Sequence, residues 1–248
     1  MKKYLLILLI IPTLAFADII QELAVLARKN VSAGTPTCTE SFDVGDRADV
    51  TDGTNLEAET DVGSILNIVS NRLEFDLATS GTVAHGDETS CYADSDLEHT
   101  ETGTLTFDDI TNVDNGTSYV AVMSIYDDAN SQAQAEIRIK CSGGNIYSIE
   151  GVFYHDGGTS YTNTVVMTGV AADTAYNFLF YWKKDASTGG AYFKLGAWSP
   201  ATTAFNQDNS LKNGGGTVRF GGDNYLGDGT TDTNLYYDTI KHYKSDER

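Results

Sequence analysis

From about residue 38 the chain runs in short stretches that alternate apolar and polar residues, most of them closed by a cluster of Gly, Asn, Asp or Ser. Period two is the period of a β-strand, whose successive side chains point to opposite faces. The clearest runs are NRLEFDL (71–77), GTLTFDDI (103–110), SYVAVMSIY (118–126), AEIRIKC (135–141), NIYSIEGVFY (145–154), YNFLFYWKK (176–184), AYFKLGAW (191–198), TVRFGG (217–222) and NLYYDTIKHY (234–243). Each strand of this kind has one apolar face that it cannot bury alone. With only three prolines, no internal repeat and no second helical pattern, the arrangement predicts an all-β domain. Two antiparallel sheets packed as a β-sandwich, a jelly roll, bury so many half-apolar strands.

The first 37 residues have a different texture. Lys2 and Lys3, an apolar run and Ala15-Phe16-Ala17 predict a secretory signal peptide over residues 1–17. The apolar run falls short of the roughly 20 residues a spanning helix needs, so no membrane insertion is expected after cleavage, and the destination is extracellular or periplasmic. Residues 18–37 carry Ile20, Leu23, Leu26 and Ala27 at helical spacing, ended by Gly34 and Pro36. They predict a short helical leader before a domain over 38–248.

The formal net charge of -19 argues against nucleic acid as a partner, which would need a basic face. It also disfavours an acidic polymer as ligand unless a local basic patch intervenes. Three cysteines in a chain bound for an oxidising compartment allow one disulfide. Cys141 continues the alternation of Ile137 and Ile139 and is expected as a small buried residue. By elimination Cys38 and Cys91 are the expected pair.

Several segments in order resemble the concanavalin A-like lectin/glucanase superfamily, with its laminin G-like members. CTESFDVGDRADVTDGTNLE followed by ILNIVSNRLEF is similar to the opening of those jelly rolls. AYNFLFYWKKDASTGGAYFKLGAW is similar to their central hairpin, and VRFGGDN with NLYYDTIKHY to their closing strands. The resemblance spans residues 38–244 and implies that the first and last strands pair, with Phe42, Tyr237 and Ile240 in the core. It does not imply one activity, because binders, hydrolases, lyases and structural parts share the fold.

GAYFKLGAWS (190–199) resembles the signature strand of a family of jelly-roll alginate lyases through Tyr192, Phe193, Lys194 and Gly196. The proton-donating tyrosine of that signature is replaced by Trp198, no Gln-x-His run exists, and AEIRIKC offers only Arg138 and Lys140. Proton abstraction needs an acid and a base within reach of the sugar, and this set supplies neither. A hydrolase needs two carboxylates about 5–10 Å apart. Asp94, Asp96 and Glu98 in ADSDLEH would share a face, but their polar surroundings predict a solvated loop. The four histidines show no metal-ligand spacing. No catalytic residue is assigned.

Alternation along the 176–198 hairpin sends Phe178, Phe180, Trp182, Phe193 and Leu195 inward. Tyr181, Tyr192, Lys194 and Trp198 are then sent outward. Flat aromatics with polar tips suit sugar rings, so these four form the expected glycan platform. No cofactor is required, although Asp223, Asn224, Asp228 and Asp232 offer hard oxygen donors in one loop, where calcium is the expected ion. The leading expectation is a secreted, non-catalytic glycan-binding jelly roll. The alternatives are a structural or adhesive surface or virion component, and a divergent polysaccharide hydrolase or lyase.

Overall fold

The structure, a computed structural model, describes residues 34–51, 53–61, 64–76, 84–92, 96–108, 120–127, 131–142, 145–154, 160–166, 171–196, 204–207, 217–222 and 234–247. The predicted signal peptide and leader lie outside them, except for its last residues, 34–37.

Fifteen strands are present among the described residues. They are β1 (Cys38–Glu40), β2 (Ala58–Asp61), β3 (Leu66–Val69), β4 (Arg72–Asp76), β5 (Ala84–Glu88), β6 (Glu98–Phe107), β7 (Val120–Asp127), β8 (Gln132–Ser142), β9 (Asn145–Tyr154), β10 (Ser160–Val166), β11 (Thr174–Lys183), β12 (Gly189–Leu195), β13 (Ala204–Gln207), β14 (Thr217–Gly222) and β15 (Asn234–Tyr243). They form two sheets. One has eight strands, in the order β13-β12-β11-β6-β15-β4-β3, with β1 added against β15. The other has seven, in the order β10-β9-β8-β7-β14-β5-β2. All pairings are antiparallel. This is the predicted two-sheet sandwich.

The core lies between the sheets. The eight-stranded sheet contributes Leu73, Phe75, Leu105, Phe107, Phe178, Phe180, Trp182, Phe193, Leu195, Leu235, Tyr237 and Ile240, and the seven-stranded sheet contributes Met123, Ile125, Ile137, Ile149, Phe153, Val218 and Phe220. All are buried. The sheets approach closely at Gly151, where a Cβ would stand 2.7 Å from the Cβ of Phe193. At that separation a side chain cannot be accommodated without moving β9 or β12.

The expected pairing of the chain ends is present. Cys38 faces His242 and Glu40 faces Ile240 across β1 and β15. Phe42, Tyr237 and Ile240 each have 0% exposure. Replacing any one of them by Ala removes a fully enclosed side chain and leaves a cavity. The expected loss is about 2–5 kcal/mol each, measured by denaturant titration, and a loss of under about 1 kcal/mol at all three would show that the ends are not anchored in the core.

β6 begins at Glu98, five residues before the alternation predicts a strand. Glu98 therefore belongs to a strand and not to the solvated loop expected for ADSDLEH, while Asp94 lies outside the described residues. The inward positions at the start of β6 are His99 and Glu101, both at 0% exposure. A strand whose buried face is polar leaves no apolar alternation to detect.

Candidate functional site

The outer face of the seven-stranded sheet carries a row of polar residues straight across neighbouring strands. Asp87 on β5 faces Arg219 on β14, Arg219 faces Ser124 on β7, and Ser124 faces Glu136 on β8. Alternation explains the row. Val218, Phe220, Ile125, Met123, Ala135 and Ile137 take the core side, so the residues between them must point away from it. In the next row Arg138 on β8 faces Glu150 on β9.

These side chains are organised into two clusters. In the first, the Arg219 guanidinium donates through Nε to Asp87 Oδ1 at 2.9 Å and through Nη2 to Oδ2 at 3.1 Å. His85 Nδ1 lies 2.8 Å from the same Oδ1. The guanidinium plane covers the Tyr126 ring at 3.6 Å from its centroid. Two parallel hydrogen bonds and a ring face hold an arginine in one orientation. Burial works against the charge on Asp87, but the donors from His85 and Arg219 outweigh it and hold the carboxyl below its usual range. β14 can pass this close to β5 because residue 221 is Gly. It has φ +101°, and a Cβ there would stand 2.0 Å from the carbonyl oxygen of Ala84.

In the second cluster, Glu136 Oε2 accepts from Arg138 Nε at 2.7 Å and from the Tyr154 hydroxyl at 2.7 Å. Arg138 Nη2 also donates to the Tyr154 hydroxyl. Gln134 precedes Glu136 on the same outward register of β8. It is 1% exposed, and its Oε1 has no hydrogen-bond donor among the described residues. A buried amide oxygen left without a donor costs roughly 1–3 kcal/mol.

The predicted platform lies on the opposite side of the molecule, on the outer face of the eight-stranded sheet. Tyr181 and Tyr192 are direct cross-strand partners, and Leu179 faces Lys194. Lys194 is exposed and Tyr192 is half-buried. Tyr181 requires a correction: it is 1% exposed, with its hydroxyl donating to Glu98 Oε1 at 2.7 Å. Its ring is covered and offers no stacking face. Trp198 lies outside the described residues, as do Asp223, Asn224, Asp228 and Asp232 of the expected calcium loop.

Of the ADSDLEH carboxylates, Asp96 is paired with Lys244 at 2.8 Å, and Glu98 accepts from Tyr181. The lyase-like elements are also separated, because Tyr192 and Lys194 on β12 and Arg138 on β8 belong to different sheets. Cys38 and Cys91 are joined as a disulfide with Cα atoms 5.8 Å apart. The side chain of Cys141 is outside the described residues.

Among solved structures, the chain is similar to a Bacillus licheniformis β-glucanase at 13% identity and a TM-score of 0.54, covering 86% of this chain and 100% of that one. It is also similar to the binding domain of botulinum neurotoxin serotype G at 11% identity and a TM-score of 0.52, covering 86% of this chain but 48% of that one. The fold is a jelly-roll β-sandwich. At these identities the likeness concerns the fold alone, and the chain spans about half the length of the toxin domain. No protein-family model matches the chain, and no curated protein matches it.

The jelly roll places one polar outer face on each sheet. The face of the seven-stranded sheet was not singled out from the sequence, although Ser124, Glu136, Arg138, Glu150 and Arg219 stand at outward positions of predicted strands. Outward polar residues normally meet only water, so alternation alone gives them no special weight. Their pairing across β5, β14, β7 and β8 depends on the order of the strands in the sheet. No local pattern encodes that order.

Proposed function

We propose that the protein binds a polysaccharide without cleaving it, through the outer face of the seven-stranded sheet. The observation that carries this reading is the group of partly exposed side chains Tyr126, Arg138 and Tyr154, held beside the fixed carboxylates of Asp87 and Glu136 on that face. Sugar hydroxyls pair in both directions with the carboxylates and guanidiniums of the two clusters, and the tyrosines supply apolar edges for ring C–H groups. Three carboxylates (Asp87, Glu136 and Glu150) stand with two guanidiniums (Arg138 and Arg219). Together with the net charge of -19, this favours a neutral polymer over a uronate. Secretion, read from residues 1–17, belongs to the same proposal.

Affinity electrophoresis against neutral and acidic polysaccharides tests it. Tyr126→Ala and Arg138→Ala are expected to weaken binding about 10- to 100-fold, the size of a hydrogen bond to a charged group or a comparable contact. Tyr192→Ala and Lys194→Ala are expected to leave it unchanged. The reverse pattern would return the site to the hairpin face, and no binding to any glycan would favour a structural or adhesive role.

One observation favours hydrolysis as a second reading. Glu136 on β8 and Glu150 on β9 are diagonal neighbours on one face, on either side of Arg138, and glycosidases use two carboxylates that flank the scissile bond. Glu136 is, however, already held by Arg138 and Tyr154. A reducing-end assay is expected to detect no product. Product that disappears in Glu136→Gln and Glu150→Gln would establish the hydrolase instead.

A further inference from the structure

A second cluster of polar groups lies inside the sandwich, away from both outer faces. The donor atoms of Cys38, Glu88, Cys91 and His242 all lie within 4.8 Å of one another. Distant parts of the chain bring them together. Cys38 on β1 is the direct partner of His242 on β15, Glu88 ends β5, and Cys91 follows three residues later. Glu88 points into the core because its cross-strand partner is Val218, and it is 0% exposed.

Two of these groups are aimed and left unsatisfied. Glu88 Oε1 accepts from the Ser90 amide at 2.6 Å, the Ser90 hydroxyl at 2.6 Å and the Cys91 amide at 2.8 Å. Its other oxygen, Oε2, is buried with no hydrogen-bond partner among the described residues. His242 Nδ1 contacts Glu101 Oε2 at 2.6 Å, and Glu101 Oε1 accepts from the Tyr92 hydroxyl at 2.7 Å. That contact is an ion contact outside hydrogen-bond geometry, and both ring nitrogens are buried without a hydrogen-bond partner among the described residues. A carboxylate on one ring nitrogen and an open second nitrogen is the arrangement of a metal-binding histidine.

We propose that, when Cys38 and Cys91 are reduced, they form with His242 and Glu88 a four-ligand site for a borderline-soft divalent cation of the zinc type. Two sulfurs, an imidazole nitrogen and a carboxylate oxygen suit tetrahedral zinc. The same sulfurs cannot serve the disulfide and the metal together, so the two states exclude each other. A dithiol converts one into the other. The Sγ–Sγ bond breaks, the dithiol closes into its own disulfide, and its two protons pass to Cys38 and Cys91. Metal binding then releases both protons as the thiolates form.

The test uses the full chain, reduced with a dithiol that is then removed under anaerobic conditions, and titrated with Co²⁺ and Zn²⁺. The reduced chain is expected to take one cobalt, with thiolate charge-transfer bands and the intense visible bands of a tetrahedral ion, which one zinc displaces. The oxidised chain is expected to show neither. Glu101→Gln is expected to weaken the metal about 10- to 100-fold by releasing the orientation of His242. If the reduced chain loses its β circular dichroism, recovery on adding one equivalent of zinc supports the site, and failure to recover overturns it. A folded reduced chain without thiolate bands also overturns it. So does metal binding that survives in Cys38→Ser/Cys91→Ser, which would place the thiolate at Cys141.

Discussion

Arg219→Leu is expected to cost about 3–5 kcal/mol, because it removes one half of a buried ion pair and leaves the other half charged. Asp87 and Arg219 are each 7% exposed. Leucine cannot replace the two donors to Asp87, although His85 still faces the carboxylate. That remaining contact places the loss toward the lower end. Replacing both residues, as in Asp87→Leu/Arg219→Leu, is expected to recover much of it, because no unpaired charge is then buried. Denaturant titration of the single and double variants measures this, and additive losses would show that the two residues are not energetically coupled.

The pH dependence of the same variants gives an independent check. The folded carboxyl of Asp87 sits below its usual range, so it contributes stability that is present above the unfolded value of about 3.9. That stability is lost as the pH falls through the lower folded value. Without Arg219, burial should push the carboxyl up. A raised acid stabilises the fold when protonated and loses that contribution as the pH rises. The gap between wild type and Arg219→Leu is therefore expected to be widest near neutrality and to narrow below about pH 4. A gap independent of pH would mean that the loss comes from packing around Tyr126 and not from the charge.

The strands that carry the core were legible from alternation alone. The predicted runs at 145–154, 217–222 and 234–243 coincide with β9, β14 and β15, since apolar and polar residues alternate over much of each run. Short strands with polar inward faces were not legible. In β5, AHGDE, the inward positions are Ala84, Gly86 and Glu88, and no apolar period survives. The start of β6 was hidden in the same way by His99 and Glu101. Both strands sit where the sandwich interior is polar, so their failure to show in the sequence and the presence of the interior cluster have one cause. The platform at Tyr181 went wrong for a different reason. Alternation gives the direction of a side chain, and Tyr181 does leave the core side, but covering depends on neighbours such as Glu98 that the period cannot report. Strand order likewise decides that Asp87 meets Arg219 across a sequence gap of more than a hundred residues.

Removing the disulfide, by Cys38→Ser/Cys91→Ser, is expected to lower stability by about 4 kcal/mol. The bond closes a loop with a sequence separation of 53, and the chain-entropy relation gives that size for a loop of this length. It also joins the two sheets, since β1 lies in the eight-stranded sheet and Cys91 directly follows β5 of the seven-stranded one. β1 is only three residues long, so its pairing with β15 offers few hydrogen bonds of its own. A fall of about 10 °C in melting temperature is expected for a domain of this size, read by circular dichroism in the absence of metal. A loss of under about 1 kcal/mol would show that Phe42 and the β15 pairing hold the amino-terminal strand without the bond. Reduction of the wild-type chain should produce nearly the same loss. The difference between the two lies in zinc: the reduced wild type keeps both sulfurs facing His242 and Glu88 and should regain stability as zinc is added. The serine variant has no thiolate to offer and should not. Equal responses of the two to zinc would separate the strength of the disulfide from any role for the metal.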